Sequence, residues 1–177
     1  MKKDWSTIEL LRHSRHDWLN KLQLIKGNLD LNKMERAKEI IDEIVVEAIQ
    51  ESRLSNLNIP QFTSMLLTYN WENHSFQLEY EVLSEIKSQI LDDDKITAWT
   101  KRFFSSLETS VKLYHENHLF ISIEPRLDGT RFFFEFSGII EKMENIEHFL
   151  CSESSIAMNI AIQEFSRQEI IFELLMD

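Results

Sequence analysis

The sequence predicts an α+β chain: an N-terminal antiparallel helical hairpin followed by a two-layer α/β sandwich. Three observations predict it. Within residues 1–59, apolar residues recur twice at alternating spacings of 3 and 4, the period of a helix with one apolar stripe. From Pro60 onward, helical stretches are interleaved with segments of period two, the mixture of an α/β sandwich. Only three glycines and two prolines occur among 177 residues, too few for the many tight turns of an all-β fold.

Each element follows in order. Residues 4–29 read as one helix, with Ile8, Leu11, Arg15, Trp18, Leu22, Ile25 and Leu29 on a heptad seam and Arg15 its one polar interruption. The run from Gly27 to Asp30 reads as a turn or fraying end. Asn32 and Glu35 have the spacing of a capping box for a second helix. That helix carries Met34, Ala37, Ile41, Ile44 and Ala48 on its seam, with Ile40, Val45 and Ile49 widening it, and ends between Ser52 and Asn56. Gln61 to Trp71 is helical. Phe76, Leu78, Tyr80 and Val82 alternate with polar residues as a half-buried strand. The Asp92-Asp93-Asp94 run caps a helix reaching Tyr114. Strands over His118–Glu124 and Arg131–Ser137 flank the turn at Leu127–Thr130. A short helix covers Glu141–Leu150. Ser155–Phe165 and Glu169–Leu175 close the chain as a hairpin around Ser166-Arg167-Gln168.

The domain boundary is expected between residues 59 and 60. A two-helix hairpin has little core of its own, and its wide apolar surface has to be covered. A second copy would cover it by forming a four-helix bundle through residues 4–55; the alternative is packing against the rest of the same chain.

Composition excludes several functions. Glycine-rich phosphate loops cannot be assembled from Gly27, Gly129 and Gly138. A single cysteine, Cys151, excludes an internal disulfide framework, and a buried, inert thiol is its default state. The start has no apolar signal segment and no stretch is long enough to span a bilayer, so a cytoplasmic location is expected. The formal charge of −11 argues against nucleic acid or a membrane surface as partner. That charge is uneven. Residues 1–59 balance at ten basic and ten acidic, while residues 1–29 hold six basic and three acidic. The first helix is locally basic in an acidic protein.

No metalloprotease, calcium-loop or serine-hydrolase motif is present. The six histidines remain. The pairs His13/His16 and His115/His118 lack further ligands at metal spacing, so no metal site is expected. His74, His115, His118 and His148 read as surface or junction residues. His16 lies one residue past the seam and faces solvent among Arg12, His13, Asp17, Leu19, Asn20 and Gln23, with Lys21 at the edge. An exposed imidazole beside cations is a nucleophile that can accept a phosphoryl group. On these residues alone an unremarkable surface histidine is the better reading.

The run of residues 13–28, HSRHDWLNKLQLIKGN, resembles the phosphoacceptor helix of the sporulation initiation phosphotransferase B family of spore-forming bacilli. Residues 51–57 (ESRLSNL), 78–87 (LEYEVLSEIK) and 116–119 (ENHL) extend the resemblance. It implies a homodimer built on the helical hairpin. It also implies an α/β domain similar to the ATP-binding domain of histidine kinases that does not act as a kinase. The activity implied is a phosphorelay step in sporulation control. A phosphoryl group passes from the aspartate of a single-domain response regulator, through a histidine, to the aspartate of a DNA-binding response regulator. The family's phosphorylated histidine falls on His16, not on His13.

On this reading Arg15 and Lys21 compensate charge, and Asp17 either orients the imidazole or balances the helix surface. Arg12, His13, Leu19, Asn20 and Gln23 form the docking face, and Trp18 belongs to the bundle core. No cofactor is expected on this chain, and Mg2+ is expected in the partner regulator's aspartate pocket. Kinase ATP sites need an Asn-bearing helix and glycine boxes. Residues 104–114 contain no Asn, and Phe136 stands where an Asp-x-Gly box would place its Asp, so productive ATP binding is not expected. The competing reading is a kinase-like dimer that binds and sequesters a response regulator without chemistry.

Overall fold

The computed structural model describes residues 6–84, 91–152 and 158–176. The chain forms two compact units, residues 1–49 and 50–177.

The first unit contains α1 (Thr7–Asp30) and most of α2 (Met34–Ser55). Ser6 caps α1 in a capping box with Glu9, which satisfies two donors that the first turn would leave open. The two residues expected ahead of it, Asp4 and Trp5, lie outside the described residues. At its other end α1 runs through Gly27 and stops at Asp30, one residue later than the sequence predicts. The backbone N–H groups of Asn32 and Lys33 donate to the carbonyls of Leu29 and Asn28, and Asn32 has a φ of 55°. This is a Schellman stop with asparagine in the left-handed position. Asn32 therefore ends α1 rather than capping α2, because one residue cannot hold both the left-handed and the extended backbone that the two roles require.

The faces of the hairpin also differ from expectation. Inside it, α2 buries Ala37 and Ile40, and α1 half-buries Leu10, His13, Asp17, Lys21, Ile25 and Asn28. Lys21 reaches Glu47 on α2 through an ion pair of 2.5 Å. Apart from Ile25, the predicted seam of α1 is the stripe one residue further on. Its exposure runs from 41% at Leu29 to 70% at Ile8, with Leu11, Trp18 and Leu22 between. On α2, Met34, Ile41, Val45 and Ile49 are likewise exposed. Periodicity finds an apolar stripe but does not say which neighbour covers it.

In the second unit, the last turn of α2 contributes Leu54 to the core, and Gln50 Oε1 accepts from the Val82 N–H. The elements that follow are α3 (Pro60–Tyr69), β1 (Gln77–Val82), α4 (Asp93–Glu108), β2 (His118–Arg126), β3 (Gly129–Ser137), α5 (Met143–Ser152), β4 (Met158–Phe165) and β5 (Glu169–Met176). They build a five-stranded sheet in the order β1-β2-β3-β5-β4. β1 is parallel to β2 across the α4 crossover, and every other pairing is antiparallel. Ser155–Ala157, expected to open β4, lie outside the described residues.

The helices pack on one sheet face. Phe62 of α3 meets Phe132 edge-on, and Phe103 of α4 meets Phe172 edge-on at 5.2 Å. Phe134 and Phe172 stack at 4.8 Å on neighbouring strands, and Phe149 of α5 leans on Trp99. Burying large aromatic side chains in this way is the main source of stability in a unit of this size. Cys151 follows the buried Leu150 on α5 and is exposed, not buried as expected, because it falls on the outward side of that helix.

α4 ends at Glu108, six residues before the predicted Tyr114. Thr109 Oγ1 donates to the Ser105 and Ser106 carbonyls. Beyond it the chain leaves the helix, with a bridge from Val111 to Ile140 and the Lys112 N–H donating to Ile139 O. An alternative backbone partner stops the helix where its apolar periodicity still continues.

Candidate functional site

The site lies midway along α1. One turn of helix places Asn20 above His16 on the same face, and its amide Nδ2 lies 3.2 Å from His16 Nδ1. Asp17 Oδ1 is 3.6 Å from the same ring nitrogen. The His16 side chain is 72% exposed, and its Nε2 has no hydrogen-bond partner among the described residues. One edge of the imidazole is thus held by its own helix and the other meets solvent.

The other predicted residues divide into two groups. Arg12, Arg15, Leu19 and Gln23 are exposed along the helix around His16. His13 shares the half-buried inner stripe with Asp17 and Lys21. Lys21 is drawn away from His16: its ammonium pairs with Glu47 and lies 5.7 Å from the Trp18 ring centroid. Charge support from Lys21 therefore competes with a carboxylate. Arg15, on the open side, has no such partner among the described residues. Trp18 is half exposed on the uncovered stripe. Sequence reading gave Asn20 only a docking role, although the four-residue offset from His16 was the signal for direct contact.

In the second unit the loop after β3 is closed tightly. Buried Asn117 donates from Nδ2 to the carbonyls of Ser75 and Lys112, and its Oδ1 accepts from the Ile139 N–H. A Cβ at Gly138 would overlap that Oδ1 and the ring of Phe136. Phe136 itself is fully buried. Gly138 therefore serves close packing here. No feature of the single sequence singled out Asn117.

Among the described residues no group of three or more His, Cys, Asp or Glu is arranged to hold a metal ion. None of the described helices is long and apolar enough to cross a membrane.

Comparison with known proteins gives the following. Residues 2–57 match the family described as the alpha-helical domain of SpoOB-type sensor kinases. Sporulation initiation phosphotransferase B of Bacillus subtilis (strain 168) is 49% identical over 117 residues, covering 66% of this chain and 61% of that protein. The match thus spans less than two-thirds of the relative's length. Among solved structures, the catalytic domain of histidine kinase ThkA is similar at 11% identity, covering 68% of this chain and 91% of that one, with a TM-score of 0.43. A structure described as a bacterial phosphotransferase is similar at 18% identity over 96% of this chain and 97% of that one, with a TM-score of 0.38. Residues 58–177, the whole α/β part beyond the hairpin, match the C-terminal domain of sporulation initiation phospho-transferase B, and on that match the chain belongs to the sporulation initiation phosphotransferase B family.

Proposed function

We propose that this chain is a phosphorelay phosphotransferase of sporulation control. It takes a phosphoryl group from the aspartate of one response regulator onto His16 and passes it to the aspartate of a second. One observation carries the reading: an exposed imidazole whose Nδ1 is engaged by its own helix while Nε2 stands open.

For Nε2 to attack, the ring proton must sit on Nδ1. Asp17 favours that arrangement. Asn20 does so once its terminal amide is turned to present Oδ1, a change of hydrogen-bonding pattern without a change of shape. The Nε2 lone pair then forms the N–P bond as the P–O bond to the donor aspartate breaks, and the electron pair stays on that carboxylate. The ring gains positive charge, which Asp17 offsets. Arg15 faces the phosphoryl oxygens. Phosphoryl transfer asks mainly for position and charge compensation, so a short set of residues on one helix suffices. Mg2+ belongs to the regulator's own acidic pocket. The second step reverses the first on a new aspartate.

The active form is a homodimer. On both helices of the hairpin the exposed stripe follows the inner one by a single residue, about 100° of rotation. In antiparallel helices the same rotation along each chain brings both stripes to one side. Ile8, Leu11, Trp18 and Leu22 then share a face with Met34, Ile41, Val45 and Ile49, and a second copy covers it as a four-helix bundle. ATP is not the donor, a reading supported by the packed Gly138–Asn117 loop.

The test is transfer of labelled phosphate between purified regulators. Wild-type chain should become labelled from a phosphorylated single-domain regulator and pass the label on, and His16→Gln should do neither while remaining a dimer. Labelled ATP alone should give no phosphoprotein. A stable regulator complex with no transfer would overturn the reading in favour of sequestration.

A further inference from the structure

The helices of the second unit cover one face of the sheet only. The register of the strands defines what stands on the other. Neighbouring rungs read Glu79, Phe120, Glu135, Ile171 and Glu164; then Glu81, Ser122, Phe133, Glu173 and Ala161; then Glu124, Arg131, Leu175 and Asn159. Phe133 is therefore the diagonal neighbour of Phe120, Ile171 and Leu175, at distances where large side chains touch. All four are half-buried, and none belongs to the core or packs against it. They form an apolar patch centred on β3.

Carboxylates surround that patch. Glu124 pairs with Arg126 and Arg131, and Glu173 pairs with Arg131. Glu79, Glu81, Glu135 and Glu164 have no ion-pair partner among the described residues. An apolar centre inside a charged rim is the anatomy of an interface. Like charge disfavours a second copy of the same face, since every rung would meet its own carboxylates. A complementary occupant carries cations around an apolar stripe.

We propose that the outer face of the β1-β2-β3-β5-β4 sheet is a docking surface for a protein partner presenting a basic amphipathic helix. Its apolar stripe would rest on Phe133 and the three side chains diagonal to it. Its Lys or Arg residues would meet Glu79, Glu81, Glu135 and Glu164. Neither His16 nor the hairpin takes part, so this surface and the phosphotransfer reading stand or fall separately.

The probe is an 18-residue amphipathic peptide of leucine and lysine, compared with its leucine and glutamate counterpart. Binding to the full chain is followed by amide chemical shifts. The expected result is saturable binding of the lysine peptide alone, with shifts concentrated on β2, β3 and β5 and affinity falling in high salt. Phe133→Ser should weaken it at least about tenfold. The triple exchange Glu79→Gln, Glu81→Gln, Glu135→Gln preserves shape and should weaken it comparably, which keeps the test valid if the Phe133 variant folds poorly. Shifts confined to α1 and α2, equal binding of the glutamate peptide, or unchanged affinity in the triple variant would each overturn the proposal. So would loss of a dimer on changing Phe133, which would assign the face to a second copy.

Discussion

At His16 two contacts matter, with Asn20 and with Asp17, and they differ in consequence. Asn20 touches the reacting ring without supplying charge, so its removal should alter the imidazole's orientation and tautomer, not the docking of a partner. Asn20→Ala is expected to slow phosphoryl transfer about tenfold, the cost of losing one positioning hydrogen bond, with little change in regulator affinity. Transfer rates at saturating and at limiting regulator separate the two effects. A second residue-scale expectation concerns Tyr69. Its hydroxyl donates to Glu108 Oε1 at 3.0 Å, and burial, followed by the Glu108 charge, pushes its pKa well above the usual 10.0. The folded state therefore favours the protonated phenol. The stability this contributes is complete below pH 10 and is lost as pH rises above it. Ultraviolet titration should show native Tyr69 un-ionised at pH values where a free tyrosine is already ionised, with the Tyr69 signal appearing only on unfolding. Tyr69 shares Glu108 with His74, whose ring stacks on it at 3.9 Å.

At the scale of elements, helix ends show what could and could not be read from sequence. The Ser6–Glu9 capping box is a local signal, which the reading of a helix from residue 4 passed over. Asp92 caps α4 as its position implies, accepting from the Lys95 N–H at 3.0 Å. Its neighbour acts elsewhere. Asp93 accepts from the backbone N–H groups of Gln61 and Phe62, each at 2.9 Å, and so caps α3, whose own N-cap residue Ile59 offers no side-chain acceptor. A cap supplied from 31 and 32 residues away leaves no mark at the helix it serves. Asp93→Ala is expected to cost about 1–2 kcal/mol, seen as a lower urea midpoint at unchanged slope. The early end of α4 was illegible for the same reason, since its cause is a bridge to Ile140. Strands were easier. Alternation over residues 76–82 placed the inner face of β1 correctly, because a one-residue slip would turn every buried side chain outward. The histidine of the candidate site was legible as exposed; its contact with Asn20 follows from helix geometry, and the withdrawal of Lys21 toward Glu47 does not.

For the whole molecule, the uncovered stripe of the hairpin is the largest feature that a single chain leaves unresolved. Nine large apolar side chains stand exposed on one side of α1 and α2, and exposure of such a surface is costly unless a partner covers it. Leu22→Glu should raise the dimer dissociation constant about a hundredfold or more, since a buried unpaired carboxylate would face its own copy. Sedimentation across a range of concentrations measures it. The charge distribution bears on function at the same scale. The basic start of the chain carries His16, while residues 60–177 carry nine basic and twenty acidic residues, so the proposed docking of an acidic regulator pocket is favoured near His16 and disfavoured at residues 60–177. The central claim is that His16 carries the phosphoryl group through its open nitrogen. Phosphorus NMR with tandem mass spectrometry on the chain trapped after exposure to a phosphorylated regulator tests it most directly. The account requires one acid-labile phosphoryl group, on Nε2 of His16. A phosphoryl group on His13 or on Nδ1 of His16, or none at all, would contradict it.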